Sequence, residues 1–111
     1  MPHLFIRGIS VDQTKEISTQ LVKDLALLCD CGEDNFTLEV LNSTFVFDQK
    51  EVPAYPFIEV KWFDRGKGAQ KQFAGIVSNH VQSLGVPEVE VAFTAYNEAD
   101  YYLNGKSFAE E

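Results

Sequence analysis

Apolar residues along this chain fall into two alternating patterns, each followed by a helical one. His3-Leu4-Phe5-Ile6-Arg7 opens as a strand led by Pro2, at a position where no ladder hydrogen bond is needed from the proline nitrogen. Gly8 breaks the pattern, and Ser10 with Gln13 has the spacing of a capping box. Ile17, Leu21, Val22, Leu25 and Leu28 then recur at helical spacing, against a polar face of Lys15, Glu16, Gln20, Lys23 and Asp24. The spacing predicts a helix from about Val11 to about Cys29, closed by Gly32 in a left-handed conformation. Phe36 to Leu41 alternates and predicts a strand, Ser43 to Phe47 a further extended piece, and Asp48 to Pro56 a loop carrying charge and two prolines.

The same plan then recurs. Pro56 to Phe63 is a second proline-led strand, and Asp64 to Gly68 a turn. Phe73, Ile76, Val77, Val81 and Leu84 mark a second amphipathic helix stopped by Gly85, and Glu88 to Thr94 a last strand. Ile17, Leu21, Leu25 and Leu28 match Phe73, Val77, Val81 and Leu84 at constant offset, which predicts two strand-helix-strand halves related by a pseudo-twofold. Right-handed crossovers would lay both helices on one face of a four-stranded mixed sheet, an α+β fold. Asn104-Gly105 signals a short C-terminal hairpin between aromatic flanks.

Strand parity adds a prediction about charge. Leu4, Ile6, Ile58, Val60 and Trp62 share the parity that faces the helices, as do Phe36, Leu38, Val40, Val89, Val91 and Phe93. The open face then receives Phe5, Arg7, Phe57, Glu59 and Lys61, with Glu39 and Glu90 beside them. Charges on a covered face must pair or stay wet. Arg7 is expected to pair with Glu59, and Lys61 with a glutamate of its own or a neighbouring subunit.

Composition narrows the partners. The chain has 111 residues, the size of a single domain spanning residues 1–111, and a formal net charge of −8. That balance speaks against nucleic acid and against an anionic membrane, which both need a basic face. Cys29 and Cys31 are too close for an unstrained disulfide and read as reduced thiols; with no apolar run long enough to span a bilayer, a cytoplasmic protein is expected. A metal site would need further ligands that no second Cys or His pair supplies, so no metal is expected. His80, on the apolar stripe of the second helix, reads as a satisfied core-edge histidine.

Pro2 behind Met1, the doubled strand-helix-strand plan, Gly68-Ala69-Gln70 at the mouth of the second helix and the tail Asn104 to Phe108 together resemble the tautomerase superfamily, whose members include macrophage migration inhibitory factor and the 4-oxalocrotonate tautomerases. The Pro-His-Leu start and the Tyr55-Pro56-Phe57-Ile58-Glu59-Val60 segment are similar to a small uncharacterised bacterial branch of it. The resemblance implies a cofactor-independent keto-enol proton transfer on a small anionic carbonyl or unsaturated acid. After removal of Met1, Pro2 would be the general base and Lys61 the residue that holds a carboxylate or polarises a carbonyl. His3, Phe63, Arg65, Tyr101, Leu103 and Phe108 would line the substrate pocket. The positions matching the inhibitory factor's pocket lysine, tyrosine and asparagine hold Cys31, Glu90 and Ala92, the last two supplied by a neighbouring subunit, with Glu90 among the substrate-binding residues. A homo-oligomer, a trimer, follows from the same resemblance and from the sheet face left open by the helices. The alternative is a non-catalytic oligomeric binding or scaffold protein that keeps the fold.

Overall fold

The computed structural model describes residues 2–110; the expected trimming of Met1 lies outside them. Eight strands and two α-helices follow in the order β1 His3–Arg7, α1 Val11–Cys29, β2 Thr37–Val40, β3 Phe45–Phe47, β4 Lys50–Val52, β5 Phe57–Trp62, α2 Lys67–Gln82, β6 Glu90–Ala95, β7 Tyr102–Leu103 and β8 Lys106–Ser107. The main sheet has the order β2-β1-β5-β6. β1 runs parallel to β2, β5 parallel to β6, and the two central strands β1 and β5 run antiparallel, so each half contributes one parallel pair.

Parity decides which side chains meet the helices. Leu4, Ile6, Ile58, Val60 and Trp62 are buried with Ile17, Leu21 and Leu25 of α1 and Phe73, Val77 and Val81 of α2. Phe5, Arg7, Phe57, Glu59 and Lys61, at the alternate positions, are half-buried on the opposite face. Trp62, Phe73 and Phe93 pack edge to face or tilted, at 5.1 to 5.6 Å, and fill the space under α2.

The two helices begin differently. The Ser10 side chain accepts from the Gln13 backbone and the Gln13 side chain accepts from the Ser10 backbone, which completes the capping box. Gly66 begins α2 at φ 93° with no side-chain cap, while the Asp64 carboxylate accepts from the Gly66 backbone. α1 closes on Asp30, at φ 52°, and not on Gly32, which is extended. A short aspartate tolerates the left-handed region, so the closing residue comes two positions earlier than the glycine suggested.

The stretch from Asp48 to Pro56 is not all loop. Asp48 and Gln49 both take positive φ, the geometry of a tight hairpin, and join β3 to β4. Neither residue is glycine, so the turn carried no strong signal. Asn104 and Gly105 turn β7 into β8 the same way, as their identities predicted. The β3–β4 arm leaves Val46 and Phe47 exposed. Gly8 ends β1 where no side chain fits: at φ 90° a Cβ would sit 1.9 Å from the Tyr55 carbonyl oxygen. Among the described residues no helix is long and apolar enough to cross a membrane.

Candidate functional site at the head of the first strand

Pro2 is fully buried. Its carbonyl accepts from the Thr37 backbone at 3.2 Å, which extends the β1–β2 ladder by one rung without asking for a proline N–H. The next residue, His3, stands on the open face between Thr37 of β2 and Lys61 of β5. Its Nδ1 lies 2.6 Å from the Thr37 hydroxyl and its Nε2 lies 3.1 Å from the Tyr101 hydroxyl. Burial holds its pKa below the usual 6.5, so the neutral ring is favoured there.

An aromatic wall rises behind His3. Tyr101 lies 5.1 Å from Phe63, 5.0 Å from Tyr96 and 4.7 Å from Phe108 between ring centroids, and Phe63 stacks on Phe108 at 5.7 Å. His3 meets the edge of Tyr96 at 5.9 Å. Burial raises the Tyr96 phenol further, keeping it a neutral donor. A cavity of about 420 Å³ borders this wall, lined by Phe63, Asp64, Tyr96, Asn97 and Glu98. Another, of about 470 Å³, lies at the end of α1 among Lys23, Leu27, Asp30 and Cys31 and includes none of the wall.

The candidate residues from the sequence do not all converge. Pro2, His3, Phe63, Tyr101 and Phe108 gather at one end of the sheet, by ladder position and ring contact. Lys61 is there too, as the cross-strand neighbour of His3, but its ammonium rests 5.1 Å from the centre of the Phe5 ring. A glutamate of its own subunit does not pair with it: among the described residues the ion pairs are Arg7–Glu59 and His80–Asp24, and a glutamate of a neighbouring subunit stays a proposal. The reason is reach. Phe5, in register with Glu59 and so the diagonal neighbour of Lys61, offers a flat face to the cation, whereas Glu59 is taken by Arg7 at 2.7 Å. Arg65 is exposed beyond β5, donating to the Phe63 carbonyl at 3.3 Å with its guanidinium 5.9 Å from the Trp62 ring.

Leu103 and Glu90 are elsewhere. Leu103 is 59% exposed on β7 and borders a small hollow with Lys106, Ser107, Phe108 and Glu110. Glu90 pairs in register with Phe57, which itself pairs with Arg7, so it belongs to the opposite end of the sheet from Pro2. Thr37 and Tyr96 join the site without having been singled out. Tyr96 shares parity with Glu90, Ala92 and Thr94, and its backbone donates to the Trp62 carbonyl at 2.7 Å; continuing the last strand by that one step of parity would have found it. Thr37 is the His3 partner in the parallel register, which only the pairing itself reveals.

Residues 1–107 match the model of the domain of unknown function DUF1904. The chain belongs to the DUF1904 family. A solved DUF1904 protein from Sebaldella termitidis is 32% identical, superposes with a TM-score of 0.90, and the match covers 97% of this chain and 100% of that one. Two more distant structures share the fold. One is a fused 4-OT described as an asymmetric trimer, 14% identical with a TM-score of 0.82 and 96% of each chain covered. The other is a macrophage migration inhibitory factor-like protein from Entamoeba histolytica, 21% identical with a TM-score of 0.73, covering 96% of this chain and 98% of that one. This DUF1904 chain therefore has the tautomerase-superfamily fold, in a bacterial branch whose function is not established. No curated protein matches it in sequence.

Proposed function

We propose that this DUF1904 protein is a cofactor-independent tautomerase-like protein, and that Pro2, once Met1 is removed, acts as general base in a keto-enol type proton transfer. The observation that carries this is the buried place of Pro2 at the head of β1, in a fold shared with 4-OT and inhibitory-factor-like proteins. A free α-amine titrates near ~8, and burial penalises its charged form, which brings the base toward neutrality. Lys61, close across the ladder from His3, would hold a carboxylate or polarise a carbonyl; Arg65 is a second cation at the same end. His3, Phe63, Tyr101 and Phe108 would form the wall on which a small unsaturated or aromatic acid lies.

The sheet face opposite the helices carries half-buried Phe5 and Phe57, covered by no helix and met by the cationic side chains of Lys61 and Arg7, which supports a homo-oligomer. A trimer is proposed from the fused 4-OT described as one. Glu90 and Leu103 would reach Pro2 only from a neighbouring subunit. The alternative, a non-catalytic oligomer keeping the fold, draws on Cys31, Glu90 and Ala92 standing where the resemblance puts pocket residues.

Intact mass of untagged protein separates the two first, because retained Met1 leaves Pro2 an amide without basicity. The second measurement is ketonisation of a phenylpyruvate-type enol. Pro2→Ala should lower the rate by about 10²-fold or more, the usual contribution of a positioned base. Equal rates for Pro2→Ala and wild type would end the proposal. Light scattering that found a monomer at micromolar concentration would end the trimer.

A further inference from the structure

His3 joins three parts of the chain through one ring: β1 on which it sits, β2 through Thr37, and the C-terminal segment through Tyr101. Tyr101 is the hub of the aromatic wall, in contact with Phe63, Tyr96 and Phe108, and its carbonyl accepts from the Phe108 backbone at 2.9 Å. Beyond it the β7–β8 hairpin is largely exposed, with Tyr102 and Leu103 in solvent. The hydrogen bond from His3 to Tyr101 is thus a polar tie between the head of β1 and the last segment of the chain. We propose that His3 is a positioning residue: strung between Thr37 and Tyr101, its ring fixes the aromatic wall against the Pro2 end of the sheet.

Among the described residues the groups that face this ring are Thr37 from β2, Lys61 from β5, Tyr96 after β6, and Tyr101. None is a carboxylate, so nothing on the wall rewards a charged imidazole. Burial by the wall is the main cause of the lowered pKa of His3. Linkage makes this reciprocal: what the wall does to the proton, the proton does to the wall. The depressed base contributes its full stability above the unfolded value of 6.5, and that contribution is lost as pH falls below 6.5 toward the folded value. The wall therefore loosens on acidification, and His3 adds no pH dependence above that range.

The test uses the full chain and reads the tie without relying on turnover. Imidazole ¹⁵N shifts followed with pH should show His3 as one neutral tautomer titrating below 6.5, with the Tyr101 ring resonances moving at the same midpoint. Tyr101→Ala, which strips the cover, should raise the His3 midpoint toward 6.5. His3→Leu should reduce the near-ultraviolet circular dichroism of the wall and leave the far-ultraviolet spectrum unchanged. A His3 midpoint at or above 6.5, or Tyr101 resonances indifferent to it, overturns the proposal. Because the functional meaning rests on Pro2 as base, enol ketonisation is measured alongside. His3→Leu should raise KM about tenfold, the loss of one good hydrogen bond, with kcat little changed. Coupled His3 and Tyr101 without any turnover would remove the base and keep the tie; turnover with the two uncoupled would remove the tie and keep the base.

Discussion

Where β1 ends, Arg7 lies 4.8 Å from the centre of the Phe57 ring and donates to Glu59 at 2.7 Å. Where β1 begins, Lys61 rests over Phe5 without a carboxylate, and His3 is strung between two hydroxyls. The same two antiparallel strands build both ends of the open face, and each end sets a cation on an aromatic ring. One end then spends its cation on a neighbouring glutamate; the other keeps a cation and a neutral imidazole next to Pro2. A buried or half-buried cation left without a carboxylate is costly unless something else offsets it, so the second arrangement is the one that asks for an anionic ligand. On the proposed function, the Arg7 end is structural and the Lys61 end is the one that binds.

The largest effect expected on this comparison comes from Gly8, which closes the Arg7 end. Gly8→Ala places a Cβ within 1.9 Å of the Tyr55 carbonyl oxygen at a positive φ of 90°. Backbone must move, and strain of this kind with overpacking costs about 2–4 kcal/mol. Urea unfolding should show a lowered midpoint with an unchanged slope. A variant as stable as wild type would mean that the loop at Tyr55 yields freely, and that the Arg7 end is not rigid.

Lys61→Met comes next. It keeps most of the stem over Phe5 and removes the charge. If the Lys61 end binds an acid, affinity for phenylpyruvate should drop about 10- to 100-fold, the worth of one charge-assisted hydrogen bond. Unfolding free energy should change by less than about 1 kcal/mol, as for other substitutions that keep the packing. Calorimetric titration checks the first and urea unfolding the second. Unchanged affinity with lost stability would invert the assignment and make Lys61 structural.

How much of this was legible in the chain differs between the two ends. Strand parity put Arg7 and Glu59 on one face, because both sit on central strands whose alternation is unambiguous, and the expected pair forms. The same parity put Lys61 on the right face and could not see Phe5 beneath it, since cross-strand register decides that contact. The halves and the helix bounds Val11 and Cys29 follow from periodicity and a capping box. Asp30, Asp48 and Gln49 escaped because non-glycine residues take left-handed conformations there, where glycine is the usual marker. His80 was legible as satisfied, and Asp24 proves to be its partner at 2.8 Å. Tyr96 and Thr37 enter the site through tertiary pairing, which has no local signature.

The smallest effect on the folding of the single chain belongs to the ion pair itself. Arg7 and Glu59 side chains are 31% and 36% exposed, so water screens their attraction and each pays side-chain entropy to hold it. A double-mutant cycle with Arg7→Met and Glu59→Gln should give a coupling of about 0.5 kcal/mol in the single chain, shrinking at 1 M salt as screening shortens to a few ångströms. Assembly changes the sum. If a second copy covers this face, water leaves the pair, and removing one partner strands the other charge, at about 3–5 kcal/mol. Each single variant should then weaken self-association far more than it weakens folding, while the double variant recovers most of the loss. Light scattering and urea unfolding on the same four proteins read the two quantities separately. A coupling that is small in both would leave the Arg7 end uncovered, and the contrast with the Lys61 end would reduce to which cation happens to reach a glutamate.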